Sequence, residues 1–327
     1  MKIKLYFGME KAIKKSGIGR AFYHQKKALT LTVVANMTSN YSEGLGNIAS
    51  VQKVFRNRKV YTIRSRESLK NAIMVQSGMY DDLQTEIIGD SKKKVNQKLV
   101  SQELNASNCR ALEGGYMNTK GTTNIRKSSF YLTDAISCES FVNETRFHNN
   151  LYLATNLAKA KNINLQEKAS EAGLMPYQYE YDKSLKIYSI TIDLEMIGKD
   201  ENFENEANYK EADNKEKADR VNSILDAIEN LSLTVKGNLD NAEPVFVVGG
   251  LSDRKTHYFE NVVKVEEDRL VVSKDLIEKV AKGYNVGLLR GQTFINEGEI
   301  EEKLNPSKII SASSYGKLQF LRIDRYT

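Results

Sequence analysis

Cysteine and histidine are scarce in this chain of 327 residues: Cys109 and Cys138 are the two cysteines, and His24, His148 and His257 the three histidines. The cysteines have no metal-ligand spacing and no secretory context, which suits a reduced cytoplasm better than a disulfide framework. The histidines are too scattered for a metal site, and no serine–histidine or cysteine–histidine arrangement follows from their positions. Long apolar runs are missing as well. No stretch of eighteen apolar residues occurs, so no membrane helix is expected. The N-terminus, with Glu10 among scattered lysines, lacks the apolar core of a signal peptide. The expectation is a cytoplasmic protein with no membrane partner.

Charge is plentiful and unevenly placed. Charged residues make up 28% of the chain and hydrophobic residues 40%, ordinary values for a soluble domain, and the net charge is +6. Residues 1–70 hold fifteen Lys and Arg against three acids, so the rest of the chain is net negative. A basic first fifth suits a polyanion, because phosphate contacts come mainly from Lys and Arg. The plain alternative is a solvated basic surface.

The most informative stretch begins with the alternating run Leu29-Thr30-Leu31-Thr32-Val33-Val34-Ala35, which places Leu29, Leu31, Val33 and Ala35 on one face of a strand. It continues into Asn36-Met37-Thr38-Ser39-Asn40-Tyr41-Ser42-Glu43-Gly44-Leu45-Gly46-Asn47. Gly44 and Gly46 permit close backbone approach, while Asn36, Asn40 and Asn47 offer amides that donate and accept. A second strand over 60–63 leads to Arg64-Ser65-Arg66, with Ser65 as N-cap of a helix over about 66–77. Arg66 and Lys70, four apart, are neighbours on that helix.

Further along, residues 80–130 are polar and weakly patterned, which reads as an insertion of loops or a mobile hairpin outside the core. Lys92-Lys93-Lys94 and Arg126-Lys127 are weaker cationic candidates within it. A helix is expected from about 134 to 161, a turn at Met175-Pro176, and a strand over 185–197. Residues 198–214 read as a solvent loop. Asp213 and Glu216 form a capping pair before a helix whose core stripe is Val221, Ile224, Leu225, Ile228 and Leu231. Val245-Phe246-Val247-Val248 reads as a buried strand ending in Gly249-Gly250, a second candidate backbone-gripping loop with Arg254 and Lys255 beyond it. The order of strand, glycine turn, helix, insertion, strand, helix and strand is consistent with an α+β sheet of ferredoxin-like or RNA-recognition type.

These blocks, with Phe130-Tyr131-Leu132-Thr133-Asp134-Ala135-Ile136-Ser137, Tyr188-Ser189-Ile190-Thr191-Ile192-Asp193-Leu194 and Glu243-Pro244-Val245-Phe246-Val247-Val248-Gly249-Gly250, resemble the DevR-type backbone subunit of type I CRISPR effector complexes, subtype I-B. The resemblance runs from about residue 28 to 312. It implies a single modified RNA-recognition-motif palm over 28–315 with inserted finger and thumb elements. It also implies a protein that polymerises along the spacer of a CRISPR RNA and presents it to target DNA. The partners implied are further copies of itself, a guide-processing endoribonuclease, a cap subunit of the same superfamily, a large PAM-reading subunit and a recruited helicase-nuclease.

Holding a guide of arbitrary sequence requires gripping phosphate and 2′-hydroxyl while leaving base edges free. On the family's pattern Ser65, Arg66 and Lys70 lie along the guide, and Arg64 and Lys53 join the cationic set. Asn36, Asn40, Gly44, Gly46 and Asn47 suit backbone gripping, and Tyr41 offers a stacking face. Type III relatives cut RNA with an aspartate in the loop after the first strand; here that loop holds only Glu43, so no catalysis and no cofactor are expected. The alternative from the residues is a metal-dependent ribonuclease using Glu43. Residues 3–29, with Lys15-Ser16-Gly17-Ile18-Gly19-Arg20, are instead similar to the start of retaining GT-B glycosyltransferases, leaving 1–27 as an atypical extension and a sugar-nucleotide transferase as a more distant alternative. Residues 316–327 read as a tail that departs from the family.

Overall fold

The computed structural model describes residues 26–42, 48–83, 85–89, 94–98, 105–118, 124–200, 210–235, 237–291, 293–306 and 308–311. The strands are β1 (Ala28–Thr38), β2 (Ile48–Ala49), β3 (Lys53–Arg56), β4 (Lys59–Arg64), β5 (Thr85–Gly89), β6 (Lys94–Lys98), β7 (Tyr116–Asn118), β8 (Asn124–Arg126), β9 (Phe130–Leu132) and β10 (Ala135–Ser137). They continue with β11 (Thr145–His148), β12 (Tyr177–Glu180), β13 (Lys183–Asp193), β14 (Ser232–Val235), β15 (Asn238–Asn241), β16 (Pro244–Ser252), β17 (Val265–Glu266), β18 (Arg269–Leu270), β19 (Asn285–Arg290) and β20 (Lys308–Ser311). The α-helices are α1 (Arg66–Gln76), α2 (Leu151–Lys161), α3 (Asn214–Glu229), α4 (Lys274–Val280) and α5 (Glu297–Leu304).

A nine-stranded sheet organises the chain in the order β20-β19-β16-β1-β13-β10-β4-β3, with β9 also pairing β13. Its ladders are antiparallel except β19 with β20. β1 lies at the centre because both its faces are covered. Leu29, Leu31, Val33, Ala35 and Met37 pack with Leu69 and Ile73 of α1 and Val221, Ile224 and Ile228 of α3. On the opposite face Val34 joins Phe246, Val248, Phe259, Leu276 and Leu288 in a second core beneath the segment after β16. On the same face as Val34 lies a row of buried hydroxyls: Thr32 with Ser189 at 2.7 Å, and Thr191 with Thr30 at 3.3 Å and with His257 Nδ1 at 2.9 Å. The strand therefore keeps its polar alternates by pairing them with one another, as buried hydroxyls require.

Both expected caps are present. Ser65 Oγ accepts from the Ser68 amide at 3.2 Å, and Asp213 Oδ1 from the Glu216 amide at 2.8 Å. Other expectations fail. The helix expected over 134–161 is confined to α2; the residues before it form β10 and β11. Their sheet partners, Ile63 for Ile136 and Tyr177 for His148, override local helix pattern. The strand expected over 185–197 runs instead from Lys183 to Asp193, and buried Leu194 and Met196 belong to the turn that follows.

The insertion expected to stand outside the core is held to it by charge. It contains the hairpins β5–β6 and β7–β8 and a 3-10 helix at Arg110–Gly114. Glu113, fully buried, accepts from Arg220 Nη1 at 2.7 Å, Arg126 Nη2 at 3.2 Å and the Gly198 amide at 2.8 Å. In the expected solvent loop 198–214, residues 201–209 lie outside the described residues, Lys199 bridges Glu211, and Ala212 is buried.

Candidate nucleic-acid interface

The rim of the sheet at the C-terminal end of β1 gathers Asn36, Asn40, Tyr41, Lys53, Arg64, Ser65 and Arg66 of the residues singled out in the sequence. As β1 ends, Thr38 donates from its amide and hydroxyl to Asp240 at 2.8 and 3.0 Å. Ser39 Oγ and Thr62 Oγ1 donate to Asp182 at 2.7 and 2.9 Å, and Lys186 Nζ lies 2.6 Å from the same carboxylate. Burial opposes the charged form of Asp182, but Lys186 and the two hydroxyls outweigh it and hold its pKa below the usual range. Asn40 Oδ1 accepts from the Ser65 amide at 2.7 Å. The segment after β1 is thus tied to the start of α1 before any ligand arrives.

The cationic candidates separate by orientation. Arg64 is turned inward. Its Nε donates to the Thr38 carbonyl at 3.1 Å, Nη2 to Thr38 Oγ1 at 3.0 Å and Nη1 to Ser68 Oγ at 3.0 Å; burial lowers its pKa, opposed by Asp240 and Tyr41. Lys70 also points inward, donating to the Gly114 carbonyl at 3.3 Å and lying 5.2 Å from the Phe130 ring centre, and burial lowers its pKa. Arg66 faces solvent, paired with Glu67 at 2.8 Å, and its amide donates to Asp134 Oδ1 at 2.9 Å. The carboxylate of Asp134 therefore occupies part of the helix terminus expected to receive a phosphate. Lys53 pairs with Glu180 at 2.7 Å and lies 4.9 Å from the Phe141 ring centre. Asn36 is the exposed residue of an otherwise covered strand. Gly44, Gly46 and Asn47, with Glu43, lie outside the described residues; Tyr41 and Ile48 are near the two ends of that gap.

The aromatic content of this rim exceeds what the sequence suggested. Tyr41 meets Tyr179 edge-on at 5.9 Å; burial, then Tyr179, push its phenol up to about 12. His148 stacks on Tyr179 at 4.8 Å and on Tyr177 at 5.5 Å, and the Arg146 guanidinium lies 3.5 Å from the Tyr181 ring centre. β11, β12 and β2 form a small three-stranded sheet that presents this ladder. Its sequence signal is the alternation Tyr177-Gln178-Tyr179-Glu180-Tyr181, placing three tyrosines on one strand face. The alternation follows directly on the turn at Met175-Pro176, and its partner strand β11 lies within the 134–161 stretch whose local pattern suggests helix.

The second candidate loop is elsewhere and is not a loop. Gly249 and Gly250 sit within β16, opposite Leu31 and Thr30. Thr30 and Thr38 are eight residues apart on β1, about 27 Å at strand rise, so the two candidate areas lie at opposite ends of the central strand. A Cβ at Gly249 would stand 2.0 Å from the Thr30 carbonyl oxygen, so glycine is required there by the neighbouring strand. Arg254 is exposed; Lys255 pairs with Asp193 at 2.7 Å and Glu195 at 2.9 Å. Arg126, expected on a finger or thumb surface, is buried against Glu113 and Ser129, while Lys127 is exposed. Lys92 and Lys93 lie outside the described residues. Among the described residues no His, Cys, Asp and Glu cluster could hold a metal ion, and no helix is long and apolar enough to cross a membrane.

Comparison with known proteins gives three findings. A family model described as CRISPR-associated negative auto-regulator DevR/Csa2 matches residues 29–270. The fold is similar to a chain of a solved structure titled "CRISPR RNA-guided surveillance complex, pre-nicking", with a TM-score of 0.52 and 11% identity over 81% of this chain and 93% of that one. A processive diacylglycerol alpha-glucosyltransferase of Acholeplasma laidlawii is 42% identical over 66 residues, 19% of this chain and 20% of that enzyme. The chain thus spans about a fifth of that curated relative. This partial match agrees in kind with the resemblance read at residues 3–29.

Proposed function

Because the chain belongs to the CRISPR-associated DevR/Csa2 family, we propose that it is a backbone subunit of a Cascade-type surveillance complex of subtype I-B. It holds the spacer of a CRISPR RNA stretched for pairing with target DNA, and several copies polymerise along that RNA in the cytoplasm. The order β16-β1-β13-β9/β10, with α1 and α3 packed on one face, supports a ferredoxin-like RNA-recognition palm. The segments between α1 and β9 and between β10 and β13 would then be the finger and thumb insertions.

The observation that carries the RNA reading is the convergence at one rim of Arg66, the exposed Asn36, Tyr41 and the tyrosine–histidine ladder. Stacking faces beside a cation grip a single strand without reading its sequence. Arg64, Ser65 and Asn40 shape that rim from beneath, and Lys70 braces α1 on the insertion. The subunit is not itself an enzyme in this reading; a recruited helicase-nuclease cuts the DNA. Its other partners are a guide-processing endoribonuclease, a cap subunit and a PAM-reading subunit.

The test is co-expression with a CRISPR-repeat RNA and the neighbouring subunits, followed by sequencing of the RNA that co-purifies. Full-length, uncut guide is expected, and protein free of nucleic acid would sink the reading. Glu43→Ala is expected to leave the recovered RNA unchanged in length; longer RNA in the variant would reveal a ribonuclease. Arg66→Ala should weaken binding by about 1–2 kcal/mol across unrelated sequences and reduce the salt slope by about 1.

A further inference from the structure

The strand that carries the ladder has a second face. Tyr177 and Tyr179 of β12 share one side with His148 and Arg146 of β11, while Gln178 and Glu180 take the other. Glu180 is turned back towards the large sheet. Its Oε2 accepts from the Val51 amide at 2.9 Å, and Lys53 Nζ donates to its Oε1 at 2.7 Å. Two residues on, Asp182 accepts from Ser39 and Thr62 and pairs with Lys186. The rings on one side of the strand are thus set by carboxylates anchored in the nine-stranded sheet.

Lys53 reaches both connections across this joint. The chain passes from β10 to β11 through residues 138–144 and returns from β12 to β13 through Tyr181 and Asp182 alone. On the outward path the Phe141 amide donates to the Val60 carbonyl at 2.7 Å, and the Phe141 ring centre lies 4.9 Å from Lys53 Nζ, within cation–π range. On the return path Glu180 meets the same ammonium. Lys53 opens β3, the strand at the edge of the large sheet. One side chain therefore ties that edge to both ends of the ladder segment.

Charge at the joint is balanced pair by pair. Two bare carboxylates beside a polyanion site would repel phosphate. Glu180 has Lys53 at 2.7 Å and Asp182 has Lys186 at 2.6 Å, and Lys186 is fully buried, out of reach of a ligand. These lysines serve as counterions to the anchoring acids.

We infer that Lys53 and Glu180 are positioning residues of the RNA rim, a clasp that holds the ladder sheet to the edge of the large sheet and fixes Tyr177 and His148 relative to Arg66. Neither touches RNA, which replaces the phosphate contact expected of Lys53 from the sequence. A stacking face and a cation grip one strand together only at a held separation. Loosening the clasp then lowers affinity without removing a contact. The inference rests on the RNA reading for its consequence, while the clasp itself is measured without RNA.

The test follows a fluorescein-labelled single-stranded RNA of mixed sequence by anisotropy over a series of KCl concentrations, with deuterium uptake of the RNA-free protein in parallel. Glu180→Gln keeps an acceptor for the Val51 amide and breaks the ion pair. It is expected to bind about three- to tenfold more weakly at an unchanged salt slope. Tighter binding with a steeper slope would mean that the released Lys53 reaches phosphate, and would overturn the proposal. Lys53→Met with Glu180→Gln removes the pair at constant net charge; a slope smaller by about 1 would likewise assign Lys53 to phosphate. With Tyr177→Ala and His148→Ala already in place, that double change should cost less than about twofold, because no ladder is left to position. Equal losses in both backgrounds would show that the pair does not act through the ladder. Uptake should rise at amides 144–148 and 177–181 in the clasp variants, with α1 and α3 unchanged; no rise would overturn the clasp whatever the affinity. If the unaltered protein binds no RNA, the RNA reading falls and the positioning role with it, and a rise in uptake would then mark the clasp as a feature of the fold alone.

Discussion

At Gly249 the sheet leaves no space for a side chain. A Cβ there would sit 2.0 Å from the Thr30 carbonyl oxygen and 2.8 Å from the Leu31 Cα, both backbone atoms that cannot step aside alone. Gly249→Ala should therefore destabilise the fold by at least about 2–3 kcal/mol, read as a lowered urea midpoint, whereas an RNA-gripping role would lower affinity at unchanged stability. His257 is a second residue whose behaviour follows from its surroundings. Burial lowers its pKa against a weaker opposing pull from Glu260, and its Nδ1 lies 2.9 Å from Thr191 Oγ1. The unfolded chain then binds a proton at a higher pH than the folded one. The stability this group contributes is fully present above about pH 6.5 and is lost as pH falls through the lower folded value. Stability measured from pH 8 down to pH 5 should fall, and the fall should be shallower in His257→Gln.

Two elements owe their placement to a few polar contacts. α1 starts where Ser65 caps the Ser68 amide while Asn40 accepts from the Ser65 amide, so strand end and helix start are fixed together. Ser65→Ala should cost about 1 kcal/mol in denaturant unfolding. The insertion around Arg110–Gly114 depends on the fully buried Glu113, which pairs with Arg220 and Arg126 at once. Removing one member of a buried charge set leaves the others unpaired, so Glu113→Ala should cost about 3–5 kcal/mol. Hydrogen exchange should show the loss first in amides 105–118, with α1 and α3 protected for longer.

On the scale of the molecule, the central sheet between two apolar cores involves β1 and strands that follow it, and Lys27 donates its amide to Ser252 at its edge. Removal of residues 1–25 is therefore expected to leave both the melting transition and RNA affinity unchanged; loss of either would give that segment a part in the fold or the site.

What the sequence determined by itself was local. Alternation identified β1 and most of β13, side-chain oxygens before apolar stripes identified the starts of α1 and α3, and the ordered motifs pointed to the family. What only the tertiary structure decided was which polar residues remain available to a ligand. Arg64, Lys70 and Arg126 look as cationic in the sequence as Arg66, yet each is consumed by a carbonyl, hydroxyl or carboxylate far along the chain. The stacked ladder of His148, Tyr177 and Tyr179 exists only because β11 and β12 pair across twenty-eight intervening residues. Periodicity reports which face a side chain takes on its own element; whether that face meets solvent depends on partners that the local pattern does not contain.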